Sequence, residues 1–233
     1  MKMVIPAYQR YLSNLGWLRS YFLFSFADYY DPENMHWGEL RVFNDDTIAP
    51  QSGFDLHPHS EMEIVTIVLE GAVTHEDSMG NKRRIAAGMI QRMSAGTGVK
   101  HSEWNKEDQP LHLYQIWILP GERGLTPEYE EASFADALTE NALTCLVGEE
   151  GLLKIHADAQ FYYGKLQKAK ELTQGFESSR SVLVYVRSGA VKYKELILEA
   201  GDQLRLEGEE ELRLIGEEDA EFVVIESADN TLK

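Results

Sequence analysis

The chain has 233 residues, of which 43% are hydrophobic and 26% are charged, which is typical of a soluble globular protein. Its 39 acidic and 22 basic residues give a net charge of −17, so the average field repels nucleic-acid backbones and no direct nucleic-acid contact is expected. No apolar run approaches the ~20 residues of a membrane span, and the N-terminal segment lacks an apolar signal core, so a cytoplasmic protein is expected.

Strand signals dominate the first half of the chain. FDLHPHSEMEI, residues 54–64, reads as a strand, and EIVTIVLEGAV, residues 63–73, as a β-branched strand that meets Gly71. After turn residues, further strands are predicted within 86–98 and over LHLYQIWIL, residues 111–119. These segments predict an all-β domain.

A second block repeats this pattern of strands and glycines later in the chain. The matching pairs are 181–191 with 63–73, 198–206 with 85–93, and 220–227 with 111–118. Chance similarity between two all-β stretches is the alternative explanation. The recurrence favours two related β-barrel or β-sandwich units in one chain.

The connection between the two blocks, residues 120–180, has mixed character. It begins with two prolines and two glycines and continues into a short helix-like piece near 130–140. We therefore predict a crossover connection with short helical structure. The predicted domains are 1–120, which would bind a metal, and 121–233, which would not and which includes the crossover.

The functional prediction depends on two pairs of residues whose side chains are of types that can bind a metal. His57 and His59 are two apart on a predicted strand, and so are His101 and Glu103. Residues two apart on a strand share a face, so all four side chains would converge if the two strands lie side by side. A strand histidine alone is usually a satisfied or exposed polar group, but two such pairs together favour a metal site.

The spacing leaves the carboxylate ligand and the ion open. Glu61 and Glu63 share the phase of His57 and His59, so either could also point inward. Imidazole and carboxylate ligands without thiolate suit one divalent Fe, Ni, Cu, Mn or Zn ion, and iron is the first choice because open coordination positions suit dioxygen chemistry. Simple alignment of the two blocks places Leu214 where His101 lies, so no metal is expected in the second block. The remaining histidines are interpreted as core or surface residues, namely His36, His75, His112 and His156.

Taken together, several segments resemble the pirin family of the cupin superfamily. They are GWLRSYFLFSFADYYDP (16–32), LRVFNDD (40–46), GFDLHPHSEMEIVTIVLEG (53–71), HEDSMGN (75–81), MSAGTGVKHSEWN (93–105) and LHLYQIWILP (111–120). The resemblance implies a bicupin, with two antiparallel jelly-roll β-barrels and a metal, usually iron, only in the first. The ligands it implies are His57, His59, His101 and Glu103.

The resemblance also implies an activity. Several bacterial pirin-like proteins resemble quercetin 2,3-dioxygenases, so the expected function is metal-dependent cleavage of a flavonol-like substrate with dioxygen, with Glu103 as general base. The alternatives are an iron-dependent regulator that acts through a protein partner, and another metal-dependent small-molecule cupin enzyme. One departure from the family pattern leaves the metal ligands intact but bears on the N-terminal packing and on the polarity of the pocket: Phe22-Leu23 stands where family members commonly have His-Thr.

Overall fold

A computed structural model describes residues 2–229 of the chain. Within this range the regular secondary structure is almost entirely β-strand, and the helical structure is limited to two short 3-10 turns, Ala7–Gln9 and Ala135–Ala137. No helix in the described range is long and apolar enough to cross a membrane.

The strands occur in two series along the chain. The first series is β1 (Lys2–Ile5), β2 (Tyr11–Asn14), β3 (Leu18–Phe22), β4 (Leu40–Ile48), β5 (Ser52–His59), β6 (Glu63–Glu70), β7 (Ala72–Asp77), β8 (Lys82–Ala86), β9 (Met89–Ser94), β10 (Val99–Asn105), β11 (Leu111–Ile118) and β12 (Glu128–Ser133). The second series is β13 (Ala142–Val147), β14 (Ala159–Leu166), β15 (Glu171–Gly175), β16 (Arg180–Ser188), β17 (Ala190–Tyr193), β18 (Leu196–Glu199), β19 (Gln203–Glu207), β20 (Glu211–Gly216) and β21 (Ala220–Ala228).

The strands form two antiparallel barrels of two sheets each, as predicted. In the N-terminal barrel the sheets have the orders β12-β9-β6-β11-β4-β3-β2 and β5-β10-β7-β8. In the C-terminal barrel they are β1-β19-β16-β21-β14-β13 and β15-β20-β17-β18. Apart from the outermost strands of the large sheets, the same order recurs ten strands later, so the repeat in the sequence corresponds to a repeated fold.

Each large sheet takes one edge strand from the other part of the chain. Strand β1 pairs with β19, with Lys2 opposite Leu206, and β12 pairs with β9, with Glu128 opposite Ser94. The exchange covers one edge of each sheet, which would otherwise expose unpaired backbone groups. The domain boundary at 120/121 stays a prediction, and strands from either side of it contribute to both barrels.

Two matching glycines make the tightest turns of the repeat. Gly71 lies between β6 and β7 and Gly189 between β16 and β17, with φ angles of 76° and 70°. A Cβ atom at Gly71 would lie 2.8 Å from the Pro110 carbonyl oxygen, and one at Gly189 would lie 2.1 Å from that of Asp219. Both positions therefore require glycine, because L side chains are disfavoured at these angles and have no room.

The central strands are buried on both faces because the two large sheets share an apolar core. On β6, Val65, Ile67 and Leu69 belong to a cluster that also contains Leu183 and Tyr185 of the C-terminal barrel. The alternate residues of β6 point into the N-terminal barrel. This explains why the strand sequence is a continuous apolar run rather than an alternating one.

Two local predictions are wrong. Residues 54–64 are not one strand, because β5 ends at His59 and β6 begins at Glu63, with a turn between them. In the segment near 130–140, where a short helical piece is predicted, the residues up to Ser133 belong to the edge strand β12 (Glu128–Ser133), and only Ala135–Ala137 make a single 3-10 turn. The acidic residues of β12 contact the buried Arg92 guanidinium, so tertiary pairing outweighs the helix propensity of glutamate and alanine.

Candidate metal centre

The histidine cluster is built on two adjacent strands of the smaller N-terminal sheet. Strand β10 pairs antiparallel with β5, so that His101 lies directly opposite His57. On β10 every second residue is buried, from Val99 to Asn105, and the residues between them face outward. This alternation points the side chains of His101 and Glu103 into the barrel.

Three histidines meet at one point inside the barrel. Each of His57, His59 and His101 offers a ring nitrogen within 4.8 Å of those of the other two. The ring centroids are 4.9 Å apart for His57 and His59, 4.5 Å for His57 and His101, and 4.9 Å for His59 and His101. The strand pairing expected from the spacing therefore brings all three imidazoles together.

The hydrogen bonding of these rings suits metal binding. His57 Nδ1 lies 2.7 Å from the carbonyl oxygen of Asp55, a contact that makes Nδ1 the donor and leaves the Nε2 lone pair free. His101 is 1% exposed, and neither of its ring nitrogens has a hydrogen-bond partner among the described residues. Buried polar atoms without partners are costly, and a bound ion would satisfy one of them.

Burial keeps two of the imidazoles neutral. Burial, reinforced by neighbouring histidines, lowers the pKa of His59 to about 4 and that of His101 to about 3. A neutral imidazole has the lone pair that a metal requires. The donor set of this cluster therefore fits a divalent transition metal.

Glu103 lies beside the cluster and is held by amide donors. Gln91 Nε2 donates to Glu103 Oε1 at 2.7 Å, and Gln115 Nε2 donates to Oε2 at 2.5 Å. A second grouping, with ligand atoms again within 4.8 Å of one another, joins Glu103 to His101 and His75. Three of the four predicted ligands, the histidines, therefore form one grouping. Glu103 belongs to the second grouping, which shares His101 with the first.

The two alternative carboxylates lie elsewhere. Glu61 has a φ angle of 50° in the turn after β5, and its carboxylate accepts a hydrogen bond from the Gly124 N–H at 3.1 Å. Glu63 belongs to the other sheet and accepts a hydrogen bond from the Ser94 hydroxyl at 2.9 Å. Neither belongs to either grouping of the described residues, because the turn between β5 and β6 ends the shared phase with His57.

His75, interpreted from the sequence as a core or surface residue, lies in the barrel interior next to His101. Its Nε2 is 3.0 Å from Asp77 Oδ2, both side chains are fully buried, and its ring stacks on Tyr129 at 4.7 Å. The signal for its position was the alternation His75-x-Asp77, which has the same period as His57-x-His59. Three other histidines have partners outside the cluster, namely His36 with the Gly38 carbonyl, His112 with Asp45 and His156 with Glu128.

A cavity of about 430 Å³ opens beside the cluster, between the two sheets of the N-terminal barrel. Its apolar lining is Leu15, Leu18, Phe22, Phe26, Ala27, Phe54 and Trp117. Its polar lining is Ser13, Ser20, Asp28, Asn44, Asp46, His57, His59, Glu103 and Gln115. Phe26 packs edge-on against both Phe22 and Trp117, so one wall is a row of aromatic rings suited to a flat apolar ligand.

Asp46 is a buried carboxyl group of this cavity that the sequence did not single out. It lies on β4 next to Ser20 of β3, whose hydroxyl donates to it. Burial raises the pKa of Asp46 to about 7, although the Ser20 hydrogen bond opposes the shift. The cavity therefore contains a carboxyl group that can change its protonation state near neutral pH.

Comparison with known proteins assigns the family. A family model described as pirin matches residues 6–118, and one described as quercetinase C-terminal cupin domain matches residues 146–227. A quercetin 2,3-dioxygenase from Escherichia coli (strain K12) is 44% identical over 199 residues, which cover 85% of this chain and 86% of that protein. The chain belongs to the pirin family.

Other pirin relatives agree. A pirin-like protein from Caulobacter vibrioides is 41% identical over 191 residues, which cover 80% of this chain and 82% of that one. The crystal structure of the bacterial pirin YhhW from Escherichia coli in complex with nickel(II) has a TM-score of 0.93 and 39% identity, and the match covers 98% of this chain and 100% of that chain. The bicupin fold implied by the sequence is therefore confirmed.

Proposed function

We propose that this protein is a metal-dependent dioxygenase that cleaves a flavonol-like, quercetin-like substrate with dioxygen. The observation that carries the proposal is the convergence of three histidines beside a cavity of about 430 Å³ with an aromatic wall. The name quercetin 2,3-dioxygenase, printed for a relative of 44% identity, supports the choice of reaction.

The proposed ligands of the ion are the three histidines, completed by Glu103. Iron remains the expected metal, and nickel(II) is the ion named for the related pirin structure. When bound, a divalent ion would supply Lewis-acid stabilisation of the deprotonated substrate and the means to react it with dioxygen. The overall reaction consumes one dioxygen molecule, opens the central ring and releases carbon monoxide.

The protein's own groups would bind and orient the substrate. The row formed by Phe22, Phe26 and Trp117 would hold the flat ring system and keep water away from it. Glu103 would accept the proton of the substrate hydroxyl as general base. Gln91 and Gln115 would hold the carboxylate in place, and Oε2, which accepts one hydrogen bond among the described residues, keeps a lone pair for this proton.

The test uses the full chain with a measured metal content. Quercetin is added under nitrogen, oxygen is then admitted, and oxygen consumption is recorded together with carbon monoxide release. We expect one molecule of carbon monoxide to be released for each molecule of oxygen consumed, at a rate proportional to the amount of bound metal. The absence of metal-dependent consumption, in protein shown to contain the metal, would contradict the proposal.

A further inference from the structure

The wall of the cavity opposite His57 and His59 carries a polar pair on strand β4. Asn44 and Asp46 are two apart on this strand and both line the cavity. Asp45, between them, faces the other barrel, where it accepts a hydrogen bond from the Tyr185 hydroxyl at 2.6 Å. The inward direction of the pair is therefore set by the strand.

Both members of the pair are buried and incompletely hydrogen-bonded. Asn44 is 4% exposed, and its Oδ1 atom has no hydrogen-bond partner among the described residues. Asp46 is 3% exposed, and within the described range the Ser20 hydroxyl is the only donor to its carboxylate. Buried acceptors with unused lone pairs are unfavourable, so a ligand that donates a hydrogen bond here would gain binding energy.

The charge of the cavity restricts the ligand group that can bind there. Three carboxyl residues line it, Asp28, Asp46 and Glu103, and no lysine or arginine does so among the described residues. Beside Asn44 and Asp46, on the wall away from the histidines, an anionic group would therefore be repelled, whereas a neutral hydroxyl group can donate to either acceptor. The aromatic wall beside the pair favours a hydroxyl group on an aromatic ring.

We propose that Asn44 and Asp46 form a specificity site that accepts a hydrogen bond from a phenolic hydroxyl group of the ligand, on the wall opposite the histidine cluster. The proposal rests on the proposed function only for the aromatic class of the ligand, and it concerns binding rather than turnover. Packed sheets are about 10 Å apart, so a ligand that reaches both walls needs more than one ring.

The experiment measures binding to the full-length protein as purified, under nitrogen so that no turnover occurs. The probes are quercetin and a series in which one hydroxyl group at a time, other than the 3-hydroxyl, is replaced by a methyl ether. Quenching of tryptophan fluorescence reports binding, because Trp117 lines the cavity. We expect methylation of at least one hydroxyl group to weaken binding about tenfold, the usual size of one lost hydrogen bond.

Two variants assign this preference to the pair. Asp46→Leu should reduce the roughly tenfold preference to less than about twofold by weakening only the binding of the hydroxylated ligand. Asn44→Leu should reduce the preference as well, and it decides the question if Asp46→Leu does not fold. Asp28→Leu is the matched control, because Asp28 lines the same cavity but is exposed, and it should keep the preference.

Two results would overturn the inference. The first is that the unchanged protein binds quercetin and every methyl ether equally well. The second is that the preference for the free hydroxyl group is unchanged in folded Asp46→Leu and Asn44→Leu. The oxygen assay separates the two proposals. If the protein consumes no oxygen but shows a binding preference that depends on Asp46, only the dioxygenase proposal fails. With oxygen consumption but no such preference, only the specificity site fails.

Discussion

The two barrels have the same order of strands but different interiors. In the N-terminal barrel His57 and His101 face each other across β5 and β10. In the C-terminal barrel Leu172 and Leu214 face each other across β15 and β20, and both belong to a continuous apolar core. The strand framework therefore accommodates either a polar or an apolar interior, so the function depends on the side chains and not on the fold.

The difference has an energetic consequence. The apolar side chains around Leu172 and Leu214 in the C-terminal barrel gain stability from burial. In the N-terminal barrel, unpaired ring nitrogens of His75 and His101 lower the stability of the metal-free protein. The N-terminal barrel should therefore depend on its ligands for stability, whereas the C-terminal barrel should not.

The greatest change should follow from replacing His101 of the N-terminal barrel by leucine, the residue type at the matching position of the C-terminal barrel. His101→Leu should abolish metal-dependent oxygen consumption, because a ligand of the cluster is lost. The same change should stabilise the metal-free protein by about 1–3 kcal/mol, since it removes two buried nitrogens without partners. Oxygen uptake and urea unfolding in the presence of a chelator measure the two effects. A metal-free variant that is less stable than the unchanged metal-free protein would contradict the energetic account.

In the C-terminal barrel, Leu214 occupies the position that matches His101. Leu214→Ala should lower the free energy of unfolding by about 2–5 kcal/mol, because Leu214 is fully buried and the change leaves a cavity. Metal content should stay the same. Urea unfolding and elemental analysis check this pair of outcomes, and loss of metal in the folded variant would show that the barrels are not independent in this respect.

Acid should affect the metal-free protein through the first barrel. Burial lowers the pKa of His59 to about 4 and that of His101 to about 3, whereas unfolded histidines titrate near 6.5. Below pH 6.5 the unfolded chain therefore binds more protons, and the free energy of unfolding should decrease as the pH falls from 6.5 towards 4. Urea unfolding across this range measures the slope. Carboxylates also titrate at the acid end of this range, so the slope is also measured for His101→Leu. A smaller slope is expected in this variant, and an unchanged slope would contradict the assignment of the pH dependence to the buried histidines.

The smallest effect is expected on the outer face of the C-terminal barrel. Arg213, next to Leu214, is exposed and forms an ion pair with Glu171 at 2.6 Å. Exposed ion pairs contribute little, so Arg213→Ala should change the free energy of unfolding by less than about 1 kcal/mol. Parallel unfolding of Arg213→Ala and Leu214→Ala tests this difference between the two faces of β20. Equal effects would contradict the inward direction of Leu214.

The sequence was most informative where a two-residue period controls the structure. His57 and His59 share a face because they lie on one strand, and Gly71 and Gly189 mark the same turn in each repeat. Periodicity could not predict the turn after His59, which separates Glu63 from the histidines.

Contacts between distant segments account for the other differences. The conformation of residues 128–133 depends on pairing with β9 and on the buried Arg92, not on local propensity. The place of Asp46 in the cavity depends on Ser20, and that of Glu103 depends on Gln91 and Gln115 from two other strands. Such contacts become visible only when the sheets are assembled.

Elemental analysis of the untagged protein beside three variants tests directly whether the histidine cluster binds a metal. We predict one divalent ion per chain in the unchanged protein, its loss in His57→Ala and His101→Ala, and full retention in His156→Ala, whose imidazole pairs with Glu128 outside the cluster. Full metal content in folded His57→Ala and His101→Ala, or no bound metal in the unchanged protein after exposure to iron or nickel, would show that this cluster is not a metal site.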